Sequence, residues 1–227
     1  ILTLNKPVVI VINSGSSLDL SKYEDKANAI IQAWYSGEAG GKALANILFG
    51  NTCPSGKLPL TFYYNDQPLP DFTDYHMSGR TYKFIDHKPW FPFGYGLSYT
   101  KFSYSGCTIK ANGNDISINV NVENTGKYDA TEIVQVYIRY EDEAFEKPHH
   151  HLEAFQAVDI PSGKTKEVTL DIPLERFSSY LKDGSKALLN GKYTVFTGGC
   201  QPDERSLELT GVSPLANTLE IQDGHIV

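Results

Sequence analysis

Three stretches in the second half of the chain alternate apolar and polar residues with a period of two. Ile116, Ile118, Val120 and Val122 alternate within "DISINVNVENTG". Val134, Val136, Ile138 and Tyr140 do so within "TEIVQVYIRY", and Val168, Leu170 and Ile172 within "KTKEVTLDI". This period sends successive side chains to opposite faces of a strand, so each stretch has one apolar face that must be covered by another sheet. "GKYTVFTGG" and "RSLELT" read as further strands, and "ENTGK", "PSGK", "KDGS" and "LNGK" supply turns between them. About seven short strands over roughly 110 residues predict an immunoglobulin-like β-sandwich. The tail "GVSPLANTLEIQDGHIV" has no decisive pattern.

The first half obeys a different rule. Pro7 to Asn13, "PVVIVIN", is a continuous β-branched run that suits a strand buried on both faces of a parallel sheet. Asp19 to Lys26 suits a short helix, and Ala27 to Tyr35, "ANAIIQAWY", a second buried strand. Ala43, Leu44, Ile47 and Leu48 then fall at helical spacing, with Gly50 as a stop. "NTCPSGKLPLTF" reads as a loop running into another short strand. Alternating strands and helices mark an α/β layer. It is too short to be complete, and the chain opens without Met and nearly inside a strand, so a piece of a larger protein is expected. Residues 64–98 show little periodicity. The aromatic strip from His87 to Ser105, "HKPWFPFGYGLSYTKFSYS", lies between the two regions. It is therefore read as a joint that buries Phe and Trp between two faces, with Gly94 and Gly96 allowing tight turns.

Charge and composition narrow the partners. The net charge of −7 and the lack of a basic stripe argue against nucleic acid. No apolar run approaches the ~20 residues of a membrane span. Fourteen Tyr and eleven Phe favour strands and contact with carbohydrate. The three cysteines, Cys53, Cys107 and Cys200, do not make a disulfide framework or a metal motif, although one Cys107–Cys200 bridge is allowed.

Three blocks in order, "QAWYSGEAGGKALANILFGNTCPSGKLPLTF", "YHMSGRTYKF" and "WFPFGYGLSYTKF", resemble the C-terminal part of family 3 glycoside hydrolases, the β-glucosidases and β-xylosidases. The resemblance implies an α/β plus all-β fold. Residues 1–98 would be the C-terminal half of an α/β sandwich domain with its exit segment. Residues 99–227 would be a fibronectin type III-like β-sandwich. The partner implied is an N-terminal (β/α)8 barrel of the same protein, the substrate a β-linked glucoside or xyloside, and no cofactor or metal is expected. "GEAGG" and "GRTYKF" lean towards the β-xylosidase branch. Such enzymes are retaining, with a nucleophilic Asp on the barrel and an acid/base Glu on a loop before the "KPVVIVINSG"-type strand. Neither motif lies in this chain, so no catalytic residue is carried over. Its expected part is to complete the sandwich domain, support the acid/base loop and close the aglycone side of the pocket.

The residues themselves offer weaker candidates. Glu38 beside glycines is better read as an acid in the first turn of a helix than as a catalytic group. Asp66, Asp71 and Asp74 suit solvated or capping turns. Tyr75, His76, Met77 and Arg80 in "YHMSGR" are the substrate-binding candidates. By the resemblance this segment runs near the domain interface, and Arg80 would hold a carboxylate there, as an interdomain ion pair before a sugar contact. Trp34 and Trp90 can stack on sugars, though Trp34 reads as core. His149, His150 and His151 point to alternate faces and do not converge on one metal; a solvated loop entering a strand is expected. The competing functional reading is a stand-alone carbohydrate-binding or adhesion module, and the Tyr-rich surface also suits a homodimer.

Overall fold

The computed structural model describes residues 5–67, 69–142 and 147–227. Residues 1–4, which the sequence reading set beside the first strand, lie outside them. The first half is a small α/β layer. β1 (Val9–Ile12) pairs in parallel with β2 (Ala29–Gln32), with Val9 opposite Ala29 and Ile12 opposite Gln32. A 3-10 turn, Ser21–Lys26, lies between them where a short helix was expected. Ile12 is buried, but Val9 is exposed, so β1 is not covered on both faces as its β-branched run predicts. β2 ends at Gln32, and Trp34 beyond it takes a positive φ of 54°, so Trp34 is not a strand core residue. Helix α1 (Gly40–Leu48) follows. Gly50, at φ 74°, ends it and donates its N–H to Ile47 O. Glu38 precedes the cap residue Ala39 and is exposed, so it lies outside the first helical turn. The strand expected within "NTCPSGKLPLTF" reduces to one bridge, Phe62 opposite Phe91.

The second half is a two-sheet sandwich. β3 (Phe102–Asn112), β4 (Asp115–Asn124) and β7 (Thr165–Pro173) form the smaller antiparallel sheet. The larger has the order β12-β11-β10-β5-β6, built from β5 (Ala130–Tyr140), β6 (His151–Ile160), β10 (Gly191–Gly198), β11 (Leu215–Gln222) and β12 (His225–Ile226). β8 (Ser179–Tyr180) and β9 (Lys186–Ala187) make a separate small hairpin. Ile116, Ile118, Val120 and Val122 of β4 meet Val134, Val136 and Ile138 of β5 and Val195 of β10 in one fully buried cluster. The alternation read from the sequence is the inside of this core. The undecided tail supplies β11 and β12. "RSLELT", expected to be a strand, is helix α3 (Glu204–Thr210), capped by Asp203, whose side chain accepts from Ser206 N at 2.8 Å, and stopped by Gly211 at φ 70°.

β5 departs from the one-face rule. Its outward-facing Gln135 and Tyr137 are as buried as its inward residues. The exit segment of the α/β layer covers them. Helix α2 (Thr81–Phe84) places Tyr82 on Phe93, rings stacked with centroids 4.3 Å apart, and edge-on to Tyr137 at 6.2 Å. Gln135 Nε2 donates to Gly94 O at 3.1 Å, and Tyr137 Oη donates to Gln135 Oε1 at 2.6 Å. A Cβ on Gly94 would lie 2.5 Å from both of those oxygens, and one on Gly96 would lie 2.1 Å from Gly56 O. These glycines allow close approach as well as turning. Trp90 is 1% exposed and donates from Nε1 to Glu24 Oε2 at 2.7 Å, so it is closed to a sugar ring.

Candidate functional site

Residues 71–81 of the irregular segment form a hydrogen-bonded loop. Asp71 turns the chain by accepting from Thr73 N (2.8 Å) and Thr73 Oγ1 (2.6 Å). Asp74 does the same for His76 N at 2.9 Å, and His76 Nδ1 lies 2.8 Å from the same oxygen. These hydrogen bonds hold both carboxyls below the usual carboxylate range. Arg80 closes the loop. Its Nε donates to His76 O (3.1 Å), and its Nη2 to Asp71 O (3.0 Å) and Asp74 O (2.6 Å). The bidentate carboxylate partner expected for Arg80 is replaced by main-chain carbonyls of its own loop. The planar guanidinium fork fits that fan of acceptors, and a lysine does not.

The loop ends on strained backbone. Gly79 turns at φ 72°, which glycine adopts without strain, whereas Thr81 takes φ 55°, an outlier for a β-branched residue. Thr81 N–H is held by Tyr63 Oη at 2.8 Å. Strain of this kind persists where surrounding contacts over-determine it, often at functional segments. What the loop presents is apolar. Tyr75 is 89% exposed, Met77 47%, and Phe72 92%. The His76 side chain is 91% exposed. Four sequence candidates thus share one loop: Arg80 shapes it, while Tyr75, His76 and Met77 project from it. Sequence reasoning missed Phe72 and Leu69, also exposed, and Thr81; Gly79 before an Arg was the available hint. Among the other acids, Asp66 is exposed in a turn.

The histidine run divides three ways. His149 Nε2 faces Asp86 Oδ1 at 3.3 Å, and His151 Nδ1 faces Glu153 Oε1 at 2.6 Å. His150 is buried against Gln201, Tyr82 and Tyr137 and is not part of a solvated loop. A groove of about 540 Å³ lies beside it, with Asp86, Lys88, Glu141, Lys147 and Arg205 on its walls. Its cations are already engaged: Lys88 and Arg205 with Glu208, Arg139 with Glu141, and Lys147 with Asp142 O. Among the described residues no cluster of His, Cys, Asp and Glu fits a metal. The three cysteines are free thiols. The Cys107–Cys200 bridge is not formed; Cys200 Sγ points to Val212 O, and burial pushes its pKa up to about 11. Among the described residues no helix is long and apolar enough to cross a membrane.

Residues 1–99 match the model of the glycosyl hydrolase family 3 C-terminal domain, and residues 132–201 that of the fibronectin type III-like domain. The chain belongs to the C-terminal region of the family 3 glycoside hydrolases. The xylan 1,4-beta-xylosidase of Xylanibacter ruminicola is 39% identical over 208 residues, 90% of this chain and 24% of that protein. The periplasmic beta-glucosidase of Salmonella typhimurium is 32% identical, over 85% of this chain and 27% of its own length. The crystal structure of the Kluyveromyces marxianus beta-glucosidase superposes with a TM-score of 0.83 at 30% identity, over 96% of this chain and 27% of that one. The family 3 chain therefore spans about a quarter of the length of these relatives. The α/β plus all-β fold read from the sequence stands, and the stand-alone binding module is not favoured.

Proposed function

We propose that the chain is the C-terminal portion of a retaining, exo-acting β-glycosidase that removes terminal β-linked xylose or glucose. The observation that carries this is the 39% identity to a xylan 1,4-beta-xylosidase along 90% of the chain. Retaining hydrolysis needs two carboxyl groups about 5–5.5 Å apart, one as nucleophile and one as acid/base. In this reading both come from outside the chain, the nucleophile from an N-terminal (β/α)8 barrel. Residues 1–98 complete the α/β sandwich domain, and residues 99–227 form the fibronectin-like domain that braces it.

The loop of Tyr75, His76 and Met77, shaped by Arg80, is the part of this chain that meets barrel and substrate. Its support is physical: exposed aromatics on an ordered loop, fastened by a guanidinium and strained at its base. An aromatic side chain held in one place stacks on a sugar at little entropic cost. The chain by itself is expected to leave aryl β-xyloside and β-glucoside intact, and the full-length enzyme to cleave one of them. Turnover by the chain alone, abolished by changing one of its own carboxylates, would overturn this. In the full-length enzyme Tyr75→Ala is expected to raise KM several-fold with kcat little changed. An unchanged KM would remove the loop from the substrate.

A further inference from the structure

We propose that His150 is an acid-sensitive latch that holds the exit segment of the α/β layer, residues 81–93, against the sandwich, and that its protonation releases this segment before the sandwich opens. His150 is 5% exposed and lies between the two units. On one side is Tyr82 of α2, ring centroids 5.6 Å apart; on the other is Tyr137 of β5, at 5.5 Å and edge-on. Nε2 lies 2.9 Å from Gln201 Oε1, which only accepts, so the neutral ring carries its proton on Nε2 and a lone pair on Nδ1.

The surroundings are built for the neutral form. Arg139 of β5 and the flanking His149 and His151 all oppose a positive charge on the ring. Most carboxylates nearby have other partners: Asp86 pairs with His149, Glu141 with Arg139, Glu153 with His151 and Arg176, and Asp203 caps α3, while Glu204 also lines the groove. Burial first, and then these neighbours, press the His150 pKa down to about 4, against the upward pull of Gln201.

The amides that stitch the two units together sit on either side of this ring. His149 N–H donates to Lys83 O at 2.8 Å, and Leu152 N–H to Tyr82 Oη at 3.0 Å. Ile118 and Val120 of β4 lie in the other sheet, fully buried in the sandwich core and in a different hydrogen-bond ladder from His150. A charge placed on His150 therefore strains the stitch and leaves the core untouched.

Hydrogen exchange on the full-length protein, corrected for the intrinsic rate at each pH, separates the two regions. In the released state His150 titrates near its ordinary 6.5. The opening constant of the His149 and Leu152 amides is then expected to rise about 20-fold from pH 7 to pH 5, with Ile118 and Val120 unchanged. His150→Gln, which retains a donor for Gln201, flattens that profile. The proposal is overturned if all four amides respond together, or if the rise survives in His150→Gln. Should the variant not fold, an NMR titration of the wild-type ring decides. A pKa near 4 that coincides with loss of amide protection supports the latch. Titration of His150 at any pH that leaves both amides protected overturns it.

Discussion

Single residues at the joint carry costs out of proportion to their size. Gly94 combines a φ of 77° with two oxygens 2.5 Å from where a Cβ would sit. Gly94→Ala is expected to lose about 3 kcal/mol in urea unfolding, from backbone strain and from displacing the Gln135–Tyr137 pair. A loss under about 1 kcal/mol would mean that the joint can open at this point without penalty. Glu132 is a different case. It is buried, accepts from Tyr104 Oη at 2.8 Å, and faces Lys57 Nζ of the α/β layer at 3.6 Å. Burial raises its pKa above 4.5, against the opposing pull of Lys57. Its contribution to stability is therefore full below pH 4.5 and declines as pH rises through the raised value. Lys57→Met leaves the buried carboxylate uncompensated and is expected to cost about 3 kcal/mol at pH 7, with a steeper loss as pH rises. Adding Glu132→Gln should recover most of that. A double-mutant cycle with no coupling between the two sites would show that the pair does not act together.

At the scale of elements, the sandwich edge is fastened by Asn124, which ends β4. It is fully buried and uses the whole amide: Nδ2 donates to Tyr128 O and Ile160 O, and Oδ1 accepts from Thr100 Oγ1 and Gly126 N. Asn124→Ala leaves buried main-chain groups unpaired and is expected to lower stability by about 3 kcal/mol, read by thermal or chemical unfolding. A neutral result would mean that water replaces the side chain. β4, β5 and β7 were legible because their inner faces follow the period of two without a break. β2 was shortened because the chain turns at Trp34, whose φ of 54° cannot continue a strand, whereas "RSLELT" became a helix for another reason. Alternation over four or five residues does not separate strand from helix, and the neighbours decide. For α3 the deciding features are the Asp203 cap and the hold of Arg205 Nε on Trp90 O at 3.1 Å. Neither is a pattern within the segment.

Across the whole molecule the two halves differ in how well they are buried. The sandwich holds a fully buried core, whereas Ile12 is the one residue of β1 and β2 that is buried. Limited proteolysis is expected to cut first at the exposed face of the 71–78 loop and to leave the sandwich intact; first cleavage inside β4 or β5 would contradict that order. That Tyr75, His76, Met77 and Arg80 share one segment was legible from the "YHMSGRTYKF" block and its lack of periodicity. The role of Arg80 was not, since its partners are carbonyls, and every residue has one. The two-part fold, the inner faces of the sandwich and the aromatic joint were readable from the residues, because periodicity and turn chemistry are local properties of the chain. Packing between distant segments alone buries β5 on both faces, encloses His150 while its neighbours reach carboxylates, and sets two oxygens where a Cβ on Gly94 would sit. Those facts depend on which distant surfaces meet, and the packing of residues 81–95 on β5 exists only once both halves have folded.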